Sequence, residues 1–151
     1  MLNVTARQEL MRTIVETLGV VVEEARLDFG EDGLSVRVVD PSHVAMIKMD
    51  VDSAAFETWE VDETKLGLEM RKMNQFISVG GAGDMVELTY SEDSGQATIL
   101  IGRIELNLRP LDNSTLNPPN VPSLELPCGV TISGTELSQA LRASRLAGEL
   151  V

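Results

Sequence analysis

The chain has 151 residues, 43% of them hydrophobic and 24% charged. This composition suits one folded domain, or one domain plus a fragment, and excludes wholesale disorder. Twelve basic and 24 acidic residues give a net charge of −12, which argues against nucleic-acid binding through the whole field of the protein but allows a local basic patch. No stretch is long and apolar enough to span a membrane, no secretory signal is visible, and the single cysteine fits a reducing compartment, so we expect a cytosolic protein.

The N-terminal part of the chain predicts a strand, a helix and a hairpin. Leu2–Ala6 predicts an opening strand, and a helical period begins at Gln8. The apolar stripe of that helix is formed by Leu10, Ile14, Leu18 and Val21. Residues 25–29 and 34–39 alternate around a Gly-Glu-Asp-Gly turn, which is typical of a β-hairpin. Residues 45–52 predict another strand, whereas 54–61 are compatible with either a short helix or a strand.

The same order of elements follows a second time. Residues 65–70 predict a strand, and residues 71–79 predict a helix that a glycine-rich run ends. Three further strands are predicted, over 85–90, 97–101 and 104–111. The topology is therefore duplicated, although the two halves show no obvious sequence identity.

The composition changes at Asp112. Residues 112–127 hold four of the six prolines and predict an extended linker, because proline cannot donate to a ladder. Beyond it, residues 129–133 predict a strand and 135–148 a helix. The face of this helix predicted to point inward consists of Leu137, Ala140, Leu141 and Ser144. One strand and one helix cannot bury a core, so this segment is interpreted as the opening of a second domain.

No motif for catalysis or metal binding stands out. His43 is the only histidine, which excludes a histidine-based triad or a multi-histidine metal site within one chain. Asp50 and Asp52 share a strand face and could hold Mg²⁺, but no phosphate-binding loop or partner lysine accompanies them, and a solvated strand face is the favoured explanation. We therefore expect no catalytic residue, no metal and no cofactor. A small enzyme that uses Asp50, Asp52, Glu60 or Asp62 is the competing interpretation.

The distribution of basic residues gives a stronger signal. Residues 71–81 and 138–148 contain no acid, although acids outnumber bases two to one in the chain. Their cations are Arg71, Lys72, Arg142 and Arg145. One interpretation is a pair of helices whose exposed faces meet a polyanion. The alternative is two solvated helix faces whose C-termini favour cations.

The run Val39–Ile47, VDPSHVAMI, resembles a stretch of the sliding clamp family of proliferating cell nuclear antigen (PCNA). Residues 55–59, 66–68 and 109–112 agree with it, and residues 134–143 resemble the start of that family's second domain in its archaeal form. The resemblance implies an α+β fold, the sliding-clamp fold, in which a βαβββ unit is duplicated within one domain. It also implies an N-terminal domain over 1–111, an interdomain connector loop over 112–128 and a truncated start of the C-terminal domain over 129–151.

Clamps of this family are non-catalytic trimeric rings that encircle duplex DNA without sequence preference. They serve DNA polymerase, the clamp loader and other replication and repair proteins, in the archaeal cytoplasm at the nucleoid or in the eukaryotic nucleus. The resemblance implies these DNA-facing cations: Arg12, Arg71, Lys72, Arg142 and Arg145. The family often has two further lysines where this chain has Gln75 and Ser78, so we expect weaker DNA attraction.

The resemblance also implies two protein-binding surfaces. A hydrophobic pocket for partner peptides would be formed by Val39, Ser42, His43, Val44, Leu116, Val121, Pro122 and Leu124. The strand that meets the next subunit would present Ile104, Leu106 and Leu108. Because the sequence ends within the second domain of the family, we expect that this chain alone does not close a ring. The alternative function is then a stand-alone peptide-binding module.

Overall fold

A computed structural model describes residues 1–148 and divides the chain into two compact units, Met1–Val121 and Pro122–Val151. The first unit contains nine strands and two helices, besides a short 3₁₀ turn at Ser53–Ala55. Its strands are β1 (Leu2–Arg7), β2 (Glu24–Gly30), β3 (Gly33–Val39), β4 (Met46–Asp52), β5 (Thr58–Val61), β6 (Thr64–Glu69), β7 (Met85–Ser91), β8 (Gln96–Ile101) and β9 (Ile104–Leu108). Its helices are α1 (Gln8–Gly19) and α2 (Met70–Ile77). The second unit contains α3 (Gly134–Ser144).

The nine strands form two antiparallel sheets that exchange their first strands. One sheet has the order β5-β1-β7-β8-β9 and the other the order β4-β3-β2-β6. The chain runs through β1-α1-β2-β3-β4 and then through β6-α2-β7-β8-β9, so the predicted βαβββ duplication is confirmed. The first strand of each repeat lies in the sheet that the other repeat builds, since β1 pairs with β7 and β6 pairs with β2.

A single hydrophobic core joins the sheets and the helices. Strand residues alternate between buried and exposed positions, as in β2, where Ala25, Leu27 and Phe29 are buried. Each fully buried aliphatic side chain contributes about 1.5–3 kcal/mol relative to an exposed one. The helical stripe predicted for α1 is partly wrong, because Leu10 and Val21 are only partly buried. The stripe that faces the core is formed by Gln8, Met11, Ile14, Val15 and Leu18.

A buried polar contact connects the two helices of the first unit. The Nε2 atom of Gln8 donates a hydrogen bond of 3.1 Å to the carbonyl oxygen of Ile77, in the last turn of α2. Carbonyl groups at the end of a helix have no partner within the helix. The Ile77 carbonyl also accepts the N–H of Gly80 at 3.2 Å, so Gln8 supplies the second of its two hydrogen bonds.

Two predicted boundaries change for local reasons. Residues 54–61, for which helix and strand both stood open, contain the end of one turn of 3₁₀ helix (Ser53–Ala55) and then β5. The turn begins where the Asp52 carboxylate accepts the N–H of Ala54 at 2.8 Å. Strand β9 ends at Leu108 rather than at Leu111, since Pro110 lacks the N–H that a ladder needs.

The second unit departs further from the sequence prediction. The predicted strand at 129–133 is wrong, because these residues pair with no strand of the described chain. Helix α3 ends at Ser144 rather than at 148, and Ser133 and Glu136 form a capping box at its start. Its predicted inward face is also wrong, because Leu137 is 46% exposed, Leu141 is 49% exposed and Ala140 is exposed. None of the helices described is long and apolar enough to cross a membrane.

Candidate DNA-facing helices and peptide-binding cleft

Helices α1 and α2 pack against each other and expose the faces opposite the core. The exposed face of α2 carries Arg71 and Lys72, and α2 contains no acid. Within residues 1–148, neither cation has a carboxylate oxygen within 4.0 Å. Both charges are therefore available to an external anion.

The predicted cation of α1 has a partner in its own helix. The Nε atom of Arg12 lies 2.7 Å from Oε1 of Glu16, one turn along the exposed face. Exposed i,i+4 pairs of this kind contribute only about 0.3–0.5 kcal/mol. A phosphate can replace Glu16 at little cost, although α1 offers less net positive charge than α2.

The other two predicted cations belong to the second unit. Arg142 lies in the last turn of α3, and its Nε atom donates to the Ser138 carbonyl at 3.4 Å. Arg145 is the residue that follows the helix. Both side chains are exposed. A role for them in DNA binding stays a prediction.

The VDPSHVAM motif forms a turn built on one carboxylate. The Asp40 carboxylate accepts the N–H groups of Ser42 at 3.0 Å, Val44 at 2.7 Å and Ala45 at 2.7 Å. These donors, with Ala45 the largest contributor, lower the pKa of the Asp40 carboxyl below its usual value. His43 adopts the left-handed conformation with φ of 55°. The Val44 side chain on this turn is 86% exposed.

The segment after β9 is fastened across β6. The N–H of Leu111 donates to the Gly67 carbonyl at 2.8 Å, and the Asn113 side chain donates to the Lys65 carbonyl at 2.8 Å. Leu116 then packs over Gly67, where a Cβ atom would lie 2.6 Å from Leu116 Cδ1. The absence of a side chain at Gly67 therefore lets the connector lie directly on the sheet.

A cleft of about 170 Å³ opens between this connector and the adjoining ends of β2 and β3. Its lining consists of Val22, Glu24, Ala25, Arg26, Arg37, Val38, Val39, Thr115, Leu116, Asn117, Pro118 and Pro119. Among the predicted pocket residues, Val39 and Leu116 line the cleft.

The remaining predicted pocket residues lie elsewhere. Ser42, His43 and Val44 are exposed on the Asp40 turn, which follows β3 directly. Val121, the last residue of the first unit, is 47% exposed. Pro122 and Leu124 belong to the second unit and are exposed.

Sequence reasoning missed the charged part of the cleft. Arg26 and Arg37 alternate with core residues in β2 and β3, and this alternation places both on the outer face of the sheet. That signal was present in the sequence. The position of the connector beside them was not, because it depends on contacts between distant segments.

The predicted subunit-contact strand lies at the end of its sheet. Within the described chain β9 pairs only with β8, so its outer edge keeps unpaired backbone groups. Ile104 is 48% exposed, and Leu106 and Leu108 are partly buried. A second strand can add to this edge, and its role as a subunit contact stays a prediction.

The carboxylates considered for an enzyme site have structural partners. Asp50 accepts from Ser35 Oγ at 2.8 Å and lies 3.0 Å from Lys48 Nζ. The Ser35 hydrogen bond, followed by Lys48, lowers the pKa of Asp50. Asp52 caps the 3₁₀ turn. No cluster of three or more potential metal ligands occurs among residues 1–148.

The fold defines the class of protein as a sliding-clamp domain. Its two helices pack side by side, and its two sheets exchange their first strands. A profile described as "Proliferating cell nuclear antigen, N-terminal domain" matches residues 1–109. The chain belongs to this family.

Curated archaeal relatives and a solved structure agree. The DNA polymerase sliding clamp of Methanococcoides burtonii is 34% identical over 145 residues, covering 95% of this chain and 59% of the relative. That of Methanoregula boonei is 30% identical, covering 100% and 62%. The structure of A. fulgidus PCNA, bound to the C-terminal region of FEN-1, matches this chain with a TM-score of 0.91 at 30% identity, covering 97% of this chain and 60% of that one. The chain thus spans about three fifths of the length of these proteins.

Proposed function

We propose that this chain supplies the N-terminal domain and connector of a DNA polymerase sliding clamp, a non-catalytic ring subunit that encircles duplex DNA and recruits replication and repair proteins. The observation that carries the proposal is the connector fastened across β6 beside an open cleft, in a fold that matches an archaeal clamp with a TM-score of 0.91. We place the protein at the archaeal nucleoid.

The helix layer supports a role in DNA binding by electrostatics alone. Arg71 and Lys72 lie on an exposed helix face without acids, in a chain whose net charge is −12. The overall negative charge repels DNA, whereas a few local cations attract phosphates without reading sequence. Weak contacts of this kind permit sliding along the duplex.

The connector supports peptide recruitment. An extended segment beside a partly apolar cleft offers backbone groups for an incoming strand and a recess for its side chains. The Asp40 turn, which follows β3 directly, adds the exposed apolar side chain of Val44. The A. fulgidus relative binds the C-terminal region of FEN-1, and we propose that this chain binds peptides of the same kind.

The edge of β9 supports assembly into a ring. Its unpaired backbone groups and the exposed Ile104 suit pairing with a strand of a neighbouring subunit. We propose that the homotrimer of the family forms through this edge.

Fluorescence anisotropy with a labelled FEN-1 C-terminal peptide tests recruitment. We expect saturable binding that Val44→Ser weakens, because the serine removes exposed apolar surface. Leu146→Ser is the matched control, since Leu146 is also exposed but lies in the second unit. Failure of the peptide to bind would contradict the proposed recruitment.

Retention on a nicked circular plasmid tests encirclement. We expect a ring that contains this domain to stay bound at high salt and to leave after linearisation, because its hold on DNA is topological. Peptide binding without any retention would favour the stand-alone module instead.

A further inference from the structure

The outer face of the four-stranded sheet carries a row of cations. Arg37 on β3 lies directly opposite Lys48 on β4, and Arg26 on β2 lies opposite Gly67 on β6. Arg26 and Arg37 both line the cleft beside the connector. A positive row on the outer face contrasts with the net charge of −12 of the chain.

Two of these three cations are already neutralised. Arg26 binds Asp28 through two hydrogen bonds, of 2.7 and 3.0 Å. Lys48 lies 3.0 Å from Asp50. Their positive charges are therefore largely compensated within the sheet.

Arg37 differs from both. Among residues 1–148, no carboxylate oxygen lies within 4.0 Å of its guanidinium, although it is half-buried at the cleft. Asp50 feels its charge, but the direct partners of that carboxylate are Ser35 and Lys48. A planar guanidinium in a recess binds a carboxylate with two parallel hydrogen bonds.

Arg37 is the lining cation that has no carboxylate partner in the described part of the chain. Pro118 and Pro119 have no N–H to donate from the connector side. Glu24 is the one acidic residue of the lining and repels a second negative charge. The cleft therefore offers Arg37 to a negatively charged group of a ligand, whereas Glu24 repels such a group.

We infer that Arg37 is a specificity residue for partner peptides, which carry an aspartate or glutamate at the position that meets its guanidinium. The inference rests on the proposed recruitment of peptides at this cleft. It adds a charge requirement to a pocket otherwise selected by apolar side chains.

A peptide scan against matched protein variants tests it. The probes are the FEN-1 C-terminal peptide and a series in which each position in turn is glutamate or glutamine. At one position we expect glutamate to bind the wild type roughly fivefold or more tighter than glutamine, as for a charge-assisted hydrogen bond. Added salt should reduce this preference.

The protein variants should change the affinity for the glutamate peptide in opposite directions. Arg37→Gln should abolish the preference for glutamate, and Arg37→Lys should keep part of it. Glu24→Gln should strengthen binding of the glutamate peptide, because it removes a repulsive charge. Arg103→Gln, which makes the same charge change in the exposed turn between β8 and β9, should change nothing.

Each outcome decides between the two claims. If the peptides bind but none shows a preference for glutamate, the role of Arg37 is overturned and recruitment stands. The same conclusion follows if the preference for glutamate persists in Arg37→Gln. Absence of binding by every peptide would overturn recruitment and this inference together. Circular dichroism checks the fold, and if Arg37→Gln is unfolded, the Arg37→Lys variant and the glutamate–glutamine peptide pairs decide the result.

Discussion

Replacing Gly67 with alanine should loosen the connector from β6. The added Cβ atom would lie 2.6 Å from Leu116 Cδ1 and 3.0 Å from both the Cβ atom and the carbonyl oxygen of Leu111. The Leu116 methyl group can rotate away. The Leu111 backbone cannot, because its N–H is bound to the carbonyl of Gly67 itself at 2.8 Å.

The size of the effect follows from three contributions. Overpacking a filled site costs about 1–3 kcal/mol, and weakening the Leu111 hydrogen bond costs about 1 kcal/mol more. Alanine regains about 0.5–1 kcal/mol over glycine in a strand. We expect Gly67→Ala to lower the free energy of unfolding by about 1–3.5 kcal/mol, which corresponds to a fall in Tm of several degrees or more.

Thermal unfolding followed by circular dichroism measures the global effect, and hydrogen exchange measures the local one. The Leu111 amide should exchange faster in Gly67→Ala, whereas amides of β7 and β8 should not change. Gly81→Ala is the control, because the nearest atom to its added Cβ would lie 3.9 Å away, an ordinary contact. A variant with wild-type Tm and unchanged protection at Leu111 would refute the packing of the connector on β6.

Three further perturbations address the Asp40 turn, the helix contact and the DNA-facing cations. Asp40→Ala should loosen the turn at neutral pH. Because the pKa of Asp40 is lowered, its stabilising contribution is present above the usual value of 3.8 and is lost as pH falls through the lower folded value; thermal melts of both proteins should therefore converge in acid. Gln8→Ala should cost about 0.5–1.5 kcal/mol in chemical denaturation, since it removes one buried hydrogen bond while the Ile77 carbonyl keeps the N–H of Gly80 as its other donor. Arg71→Gln and Lys72→Gln should each weaken the salt dependence of DNA binding. The magnitude of the slope of log K against log salt concentration should fall by about 0.9 for each variant.

Matched controls separate these effects from general damage. Gln75→Ala changes an exposed glutamine of α2 and should leave stability unchanged. Arg103→Gln should leave the salt slope of DNA binding unchanged. Asp93→Ala alters an exposed acid in the turn between β7 and β8 and should not reproduce the acid convergence of Asp40→Ala. Controls that behave like the test variants would contradict the assigned contacts.

The local elements could be predicted because the separation of polar from apolar residues encodes them. Alternation in 25–29 and 34–39 predicted a hairpin, and the structure pairs these residues as β2 and β3. The face of α1 was harder, because Leu10 and Met11 are both apolar and only packing decides which one is buried. The strand predicted at 129–133 failed for a related reason, since a strand needs a partner and apolar alternation alone does not provide one.

The sites depend more strongly on contacts between distant residues. Nothing near Gly67 in the sequence indicates that Leu111 and Leu116 will lie on it. The proposed role of Arg37 likewise depends on the folded sheet. Arg26 and Lys48 have carboxylate partners there, whereas Arg37 has none among residues 1–148. Strand alternation in the sequence predicts that these side chains share an outer face. Which of them is paired with a carboxylate is decided only in the assembled sheet.

The duplication accounts for the way in which the connector meets β6. After β4 the chain returns to pair β5 with β1, the first strand of its own repeat, over four residues. After β9 it returns in the same way to β6, the first strand of the second repeat, but makes the single bridge between Leu111 and Gly67. Pro110 and the prolines of 112–127 remove the donors that a longer ladder would require. The segment that corresponds to β5 therefore meets β6 through one bridge instead of a ladder, and the proposed peptide-binding cleft lies beside it.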